Sequence, residues 1–132
     1  MKNVGLVISL VFIVSVLSIG LGATKGPSVQ YFSPSDFQKL TLSSKNILVD
    51  IRTPEEYASG HIRHAQLINL HDADFSTNIG RLDKGKTILI YCRSGHRTEA
   101  GKEDLQRQGF KKIGILKGGI NAWNDANFPI EQ

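Results

Sequence analysis

The reactive chemistry of this chain is expected at its single cysteine, Cys92, and in the short polar loop that follows. A thiol just before the N-terminus of a helix meets free backbone N–H groups and the positive end of the helix dipole, and both favour an anion. The thiolate, rather than the thiol, is the nucleophile. Cys92 is therefore predicted to act as a nucleophile, and the alternative is a buried, inert cysteine.

The loop after Cys92 has the size and charge expected of a small anion site. Its residues are Arg93, Ser94, Gly95, His96 and Arg97. Gly95 permits the positive φ that a nest of inward-pointing amides requires. The four residues between Cys92 and Arg97 form a loop small enough to surround one sulfur atom.

Three cationic side chains of this loop could attract an anionic substrate and offset charge on its leaving group. We expect Arg97 to make a fixed contact, with Arg93 and His96 in supporting roles. The alternatives are that Arg93 is only solvated and that Arg97 pairs with a carboxylate such as Glu103 or Asp104.

A strand, a loop and a helix must position Cys92. Residues 87–91 read TILIY, a β-branched and aromatic run typical of a strand buried on both faces. Residues 97–108 carry charges at helical spacing, and Gly109 is expected to cap that helix.

The rest of the chain alternates between strand and helix patterns. Strands are predicted at 29–31, 46–50, 67–68 and 113–116, and helices at 34–40, 54–59 and 120–124, with 71–81 either helical or irregular. This alternation predicts an α/β fold with a parallel sheet covered on both faces. Ligands of such sheets bind beyond the carboxyl ends of the strands, where Asp50 and Cys92 both fall.

The first 23 residues form a separate segment. Residues 4–23 contain no charge, follow Lys2, and end in small residues, as in a secretory signal peptide. The run is also about long enough to span a bilayer. We expect either a cleaved signal peptide or a retained anchor, with residues 24–132 forming one domain outside the cytoplasm.

Composition excludes several classes of function. The chain has 16 Lys and Arg residues against 12 Asp and Glu residues, an excess too small and too scattered to predict nucleic-acid binding. One cysteine cannot form an intramolecular disulfide or a cysteine-rich metal site, and the histidines fit no zinc spacing. No metal or cofactor is expected, and we expect a monomer.

Three segments resemble signatures of the rhodanese-like domain family. They are ILVDIRTPEEYASGHIRHAQLINL at 47–70, ILIYCRSGHRTEAGKEDLQRQGF at 88–110 and ILKGGINAWNDANFPI at 115–130. The resemblance implies a single-domain sulfurtransferase. Such domains take sulfur, typically from thiosulfate, onto cysteine as a persulfide and pass it to cyanide or a thiol.

The resemblance also implies roles for residues outside the loop. Asp50 and Arg52 match the acidic and basic positions of the first signature, with a mainly structural role. Arg52 could pair with Asp50 or with Glu56. His61 resembles a structural histidine of the family, and Trp123 is expected in the core. Arg63 and His64 depart from the Pro and small residue that are usual at this turn.

Two alternatives to a sulfurtransferase remain. The first is a non-enzymatic sulfur carrier or protein-binding module. The second is a phosphatase-like hydrolase, since related phosphatases also use a cysteine in a loop closed by arginine. Those enzymes place five residues between the two, whereas this chain has four, which favours a single sulfur over a phosphate.

Overall fold

The protein is described here by a computed structural model that covers residue 22 and residues 25–132. The predicted leader at 1–23 lies almost wholly outside the described residues. The strands are β1 (Ser28–Phe32), β2 (Asn46–Asp50), β3 (Gln66–Leu67), β4 (Thr87–Tyr91) and β5 (Lys112–Leu116). The helices are α1 (Pro34–Thr41), α2 (Pro54–Ser59), α3 (Phe75–Gly80), α4 (Arg97–Arg107) and α5 (Gly119–Asp125).

The five strands form one parallel sheet in the order β1-β5-β4-β2-β3. Strand β4 is central, so its end lies between the ends of β5 and β2. The α/β prediction is confirmed. Strand β3 is shifted by one residue from its predicted position, and the 71–81 segment forms a helix only in its second half.

Two apolar cores cover the two faces of the sheet. One contains Ile88, Ile90 and residues of α3 and α4, and the other contains Leu89, Tyr91 and residues of α1 and α5. Because side chains alternate along a strand, TILIY supplies both cores. The burial of β4 on both faces therefore fixes the direction in which the chain leaves the sheet at Cys92.

Local capping explains where two helices begin. The Ser33 and Thr53 hydroxyls accept the N–H groups of Asp36 at 3.2 Å and Glu56 at 3.3 Å. Each cap is followed by a proline at the first helical position, which needs no N–H partner. Both predicted starts are confirmed, and the Thr53 cap orients Glu56.

The turn at residues 62–65, which contains Arg63 and His64, is closed by a backbone hydrogen bond. The Ala65 N–H donates to Ile62 O at 3.0 Å, and His64 has φ +67° at the third turn position. Glycine is favoured where φ is positive, so histidine is accommodated here with backbone strain. Arg63 forms an exposed ion pair with Glu131.

Two residues with predicted structural roles have them. His61 is half-buried, stacks on the Tyr57 ring at 3.7 Å, and places Nδ1 3.0 Å from Tyr57 O. Trp123 is buried, and its indole N–H donates to Pro129 O at 3.0 Å.

Candidate active site

Three segments meet at the carboxyl edge of the sheet. Cys92 directly follows the central strand β4, Asp50 ends the neighbouring strand β2, and Gly118 and Gly119 follow strand β5 on the other side. This edge is where open parallel sheets bind ligands. The predicted convergence of Asp50 and Cys92 therefore follows from strand order.

The Cys92 loop turns its backbone toward the sulfur. The Gly95 N–H lies 3.1 Å from Cys92 Sγ, and Gly95 has φ +98°. The Thr98 hydroxyl donates to Gly95 O at 2.7 Å and fastens the loop to the first turn of α4. Cys92 is only 1% exposed, so its sulfur lies inside this cradle. The Gly95 amide and the nearby start of α4 are therefore placed to stabilise negative charge at the sulfur.

The start of helix α5 contacts the same loop through two backbone hydrogen bonds. The N–H of Ile120 donates to Cys92 O at 2.9 Å, and the N–H of Asn121 donates to Arg93 O at 3.1 Å. A Cβ on Gly119 would lie 2.5 Å from Cys92 O and from two backbone atoms of Arg93. Only glycine permits this approach. The sequence pattern did not predict this contact between Gly119 and the loop.

The pair formed by Asp50 and Arg52, here called the frame pair, is buried beside the loop. Arg52 donates to the Asp50 carboxylate from Nε at 2.9 Å and from Nη2 at 2.7 Å, and Nη2 also donates to Gly60 O at 2.7 Å. The side chains are 5% and 0% exposed. Burial opposes the charge of Arg52, but the hydrogen bonds with Asp50 and the negative charge of its carboxylate together outweigh burial and raise the pKa of the guanidinium.

Tyr91 links the frame pair to the second core. Its hydroxyl accepts the Ile62 N–H at 3.0 Å, and the Arg52 guanidinium carbon lies 5.6 Å from its ring centroid. Burial, followed by the Asp50 carboxylate, raises the pKa of the Tyr91 phenol well above its usual range. Tyr91 is therefore a neutral structural residue.

Arg97 forms a second ion pair, here called the mouth pair, with Glu56. Two parallel hydrogen bonds of 2.8 Å join the guanidinium to the carboxylate, with side chains 19% and 29% exposed. The bonds from Arg97 lower the pKa of the Glu56 carboxyl, and partial burial offsets this only in part. Of the predicted alternatives for Arg97, pairing with a carboxylate is observed, but the partner is Glu56 rather than Glu103 or Asp104.

The remaining loop side chains face solvent. Arg93, Ser94 and His96 are exposed, and no ion pair joins Arg93 to an acidic residue among residues 25–132. Arg93 also lines a polar groove of about 270 Å³ between α2 and α5, with Asn121 and Asn124 on its other side. The Arg93 guanidinium therefore has no ion-pair partner among residues 25–132, and it lines this groove.

The structure brings together the site residues expected from the sequence, but with changed partners. Arg52 pairs with Asp50 and leaves Glu56 to Arg97. The sequence analysis named Glu56 only as a possible partner of Arg52, because Glu56 lies 41 positions from Arg97 in the chain. Within the part of the chain that is described, no cluster of three His, Cys, Asp or Glu residues could hold a metal ion.

Comparison with known sequences identifies the class of this domain. The profile of the Rhodanese-like domain matches residues 33–126, which is well over half of the chain. The chain therefore belongs to the rhodanese-like domain family.

Individual relatives carry several names. A protein named sulfurtransferase from Allochromatium vinosum is 37% identical, with 74% of this chain and 90% of the relative aligned. A protein named thiosulfate sulfurtransferase GlpE from Ectopseudomonas mendocina is 34% identical over 75% and 87% of the two chains. A protein named tRNA uridine(34) hydroxylase from Staphylococcus haemolyticus is 32% identical, but only 35% of it is covered, against 80% of this chain.

Solved structures agree with the fold. A rhodanese-like domain protein from Staphylococcus aureus has a TM-score of 0.64 and 29% identity, covering 78% of this chain and 99% of the other. A rhodanese-related protein from Thermoplasma volcanium has a TM-score of 0.68 over 77% and 97% of the chains. At 22% identity, the second match supports the fold alone.

Proposed function

We propose that this protein is a sulfurtransferase that carries sulfur as a persulfide on Cys92. The observation that carries the proposal is the cradle around Cys92 Sγ, in which the Gly95 amide lies 3.1 Å from the sulfur at the start of α4. The sulfurtransferase names of relatives that align over most of their length support the same reaction class.

The reaction begins with thiosulfate as donor. The Cys92 thiolate attacks the outer sulfur of thiosulfate, a Cys92 S–S bond forms, and the bond to the sulfonate sulfur breaks. Sulfite leaves with the electron pair of that bond, and the persulfide remains as an anion. The Gly95 amide and the first turn of α4 stabilise the negative charge on the terminal sulfur.

The second half-reaction returns the enzyme to its starting state. A cyanide ion or a thiolate attacks the terminal sulfur and takes it as thiocyanate or as a new persulfide. The bond between the two sulfurs breaks, and its electron pair returns to Cys92. No net oxidation occurs in the cycle, so no redox cofactor is needed.

Arg93 is the cation best placed to attract the donor. Glu56 already holds Arg97 through two hydrogen bonds, so much of the Arg97 charge is compensated. Arg93 is exposed and lies next to Cys92 in the chain. We assign Arg93 to donor attraction, His96 to the positive potential at the loop, and Ser94 and Gly95 to its backbone cradle.

The adjoining groove favours a thiol over cyanide as the acceptor. Its volume of about 270 Å³ corresponds to roughly nine water molecules, far more than a diatomic anion fills. Arg93, Asn121 and Asn124 could hold polar groups of a larger molecule. A thiol that carries a carboxylate or amide fits this chemistry.

The proposed setting is outside the cytoplasm. Residues 4–23 form an uncharged run of twenty residues behind Lys2, which supports export through a cleaved signal peptide or a retained anchor. Cell fractionation with intact-mass measurement tests this. A protein in the cytoplasmic fraction with residues 1–23 retained would contradict export.

Thiocyanate formation from thiosulfate and cyanide tests the reaction. We expect activity in the intact protein, a mass gain of one sulfur after thiosulfate alone, and loss of both in Cys92→Ser. Thr98→Val, which keeps the thiol but removes the hydroxyl that fastens the loop, should retain the mass gain at a lower rate. Activity that survives Cys92→Ser would overturn the persulfide route. A stable mass gain without turnover would favour a sulfur carrier, and aryl phosphate cleavage a hydrolase.

A further inference from the structure

The amino edge of the sheet, opposite Cys92, carries most of the excess positive charge. In a parallel sheet the starts of all strands lie at one edge. Strands β1, β5, β4 and β2 are neighbours in the sheet, and each has a lysine at its first residue or within the four residues before it. These lysines are Lys25, Lys45, Lys84, Lys86, Lys111 and Lys112, here called the lysine patch.

Three lysines of the patch line one depression, and none of the six has a carboxylate partner among the described residues. Lys45, Lys86 and Lys112 line a single depression of about 380 Å³. None of the six forms an ion pair with a carboxylate among residues 25–132. Asp83 is the one acidic residue in the same four segments, and its carboxylate accepts the Gly85 N–H.

The charge is asymmetric across the domain. Outside the patch segments, residues 25–132 contain nine Lys and Arg residues and 11 Asp and Glu residues. The positive excess, which is scattered along the sequence, is therefore brought to one edge of the domain by the fold. Clustered like charges raise the local potential and attract a surface of opposite charge.

An exposed apolar side chain lies beside the patch. Leu42, at the end of α1, is 75% exposed and lines a depression together with Lys86. An exposed leucine beside a group of lysines is typical of surfaces that bind bilayers, where the charges meet the headgroups and the apolar side chain enters the interface.

The chain enters the domain at the same edge of the sheet. Strand β1 begins at Ser28, so the chain enters the domain at the amino edge, a few residues after the uncharged run 4–23. Within residues 22 and 25–132, none of the helices is long and apolar enough to cross a membrane.

We propose that the lysine patch docks on the anionic headgroups of a lipid bilayer. In this orientation the amino edge of the sheet faces the membrane, and Cys92, at the carboxyl edge, faces away from it. The patch would act whether the leader is cleaved or retained, since its lysines lie within the described domain.

A residue-resolved footprint of the full chain tests this orientation. Lysine acetylation rates are measured in the presence of two kinds of vesicle. One contains phosphatidylcholine alone, and in the other about one third of the lipid is phosphatidylglycerol. We expect slower acetylation of Lys45, Lys111 and Lys112 only with anionic vesicles, and unchanged rates at Lys102 and Lys117. About 0.5 M salt, where screening acts within about 4 Å, should remove the protection. Uniform rates across all lysines would overturn the proposal.

Matched double variants provide the control. We expect Lys45→Gln/Lys112→Gln to weaken binding to anionic vesicles by about fivefold for each lysine removed. Lys102→Gln/Lys117→Gln removes the same charge elsewhere and should have little effect. Equal losses in both variants would indicate net charge alone and overturn the proposal, as would equal protection by an oligonucleotide at the same phosphate concentration. Activity of both variants should stay unchanged, which separates failure here from failure of the proposed reaction.

Discussion

Two arginine–carboxylate pairs flank the Cys92 loop, and they differ mainly in burial. The frame pair of Asp50 and Arg52 is almost wholly buried, whereas the mouth pair of Glu56 and Arg97 is 29% and 19% exposed. Each joins one guanidinium to one carboxylate through at least two hydrogen bonds. Their chemistry is nearly the same, so their different roles must come from solvent access.

Burial makes the frame pair a structural requirement. In a buried ion pair each charge is stabilised by the other rather than by water. Removal of one charge therefore leaves the other unpaired in a medium that cannot solvate it. Water and salt screen the mouth pair, which therefore contributes little to stability. Its position beside the loop lets it adjust the charge near Cys92 instead. The comparison separates residues that hold the site from residues that tune it.

Removal of the frame carboxylate should have the largest effect on stability. Asp50→Ala leaves the Arg52 guanidinium buried with Gly60 O as its remaining polar contact. We expect the free energy of unfolding, measured in urea, to fall by about 3–5 kcal/mol. Asp36→Ala, which breaks an exposed pair with Lys39, should cause a much smaller loss. A loss at Asp50 no larger than at Asp36 would mean that burial does not distinguish the two kinds of pair.

A methyl group at Gly119 should disturb the loop without touching either pair. The added Cβ would lie 2.5 Å from the backbone of Cys92 and Arg93, at a position with φ +60°. We expect Gly119→Ala to lower stability by roughly 1–3 kcal/mol and to slow the formation of the Cys92 persulfide. Gly109→Ala has a similar positive φ of +89° but open space around it, so it controls for backbone strain alone. Equal persulfide rates in the two variants would show that the close approach at Gly119 does not shape the site.

The sequence predicted the elements better than their contacts. TILIY and the Ser33 and Thr53 caps are local signals, and the corresponding element bounds agree with the structure to within a residue or two. The partner of Arg97 could not be predicted in this way, since Glu56 and Arg97 meet only after β2 and β4 pair. The requirement for glycine at position 119 could not be predicted either, since Gly119 follows β5 and the loop that it contacts follows β4.

Neutralising Glu56 should have the smallest effect on stability and a measurable effect on the KM for thiosulfate. Glu56→Gln keeps the shape of the side chain but removes negative charge beside Arg97. We expect an unfolding free energy lower by about 0.2–1 kcal/mol at neutral pH. The KM for thiosulfate should fall by about two- to fivefold at low salt, because the cationic charge at the mouth is less compensated. Glu55→Gln, on the same helix but exposed, should change neither quantity.

The pH dependence of this difference tests whether the mouth pair is ionic. The pKa of Glu56 in the folded protein is lowered from the ordinary value of 4.5, so its contribution is present above that pH and is lost as pH falls through the lowered pKa. Urea unfolding at pH 7 should therefore separate wild type from Glu56→Gln, and the difference should shrink as pH falls below 4.5. A difference that stays constant across this range would mean that packing, rather than charge, accounts for the contribution of the mouth pair to stability. An effect of charge on stability would then be confined to the frame pair.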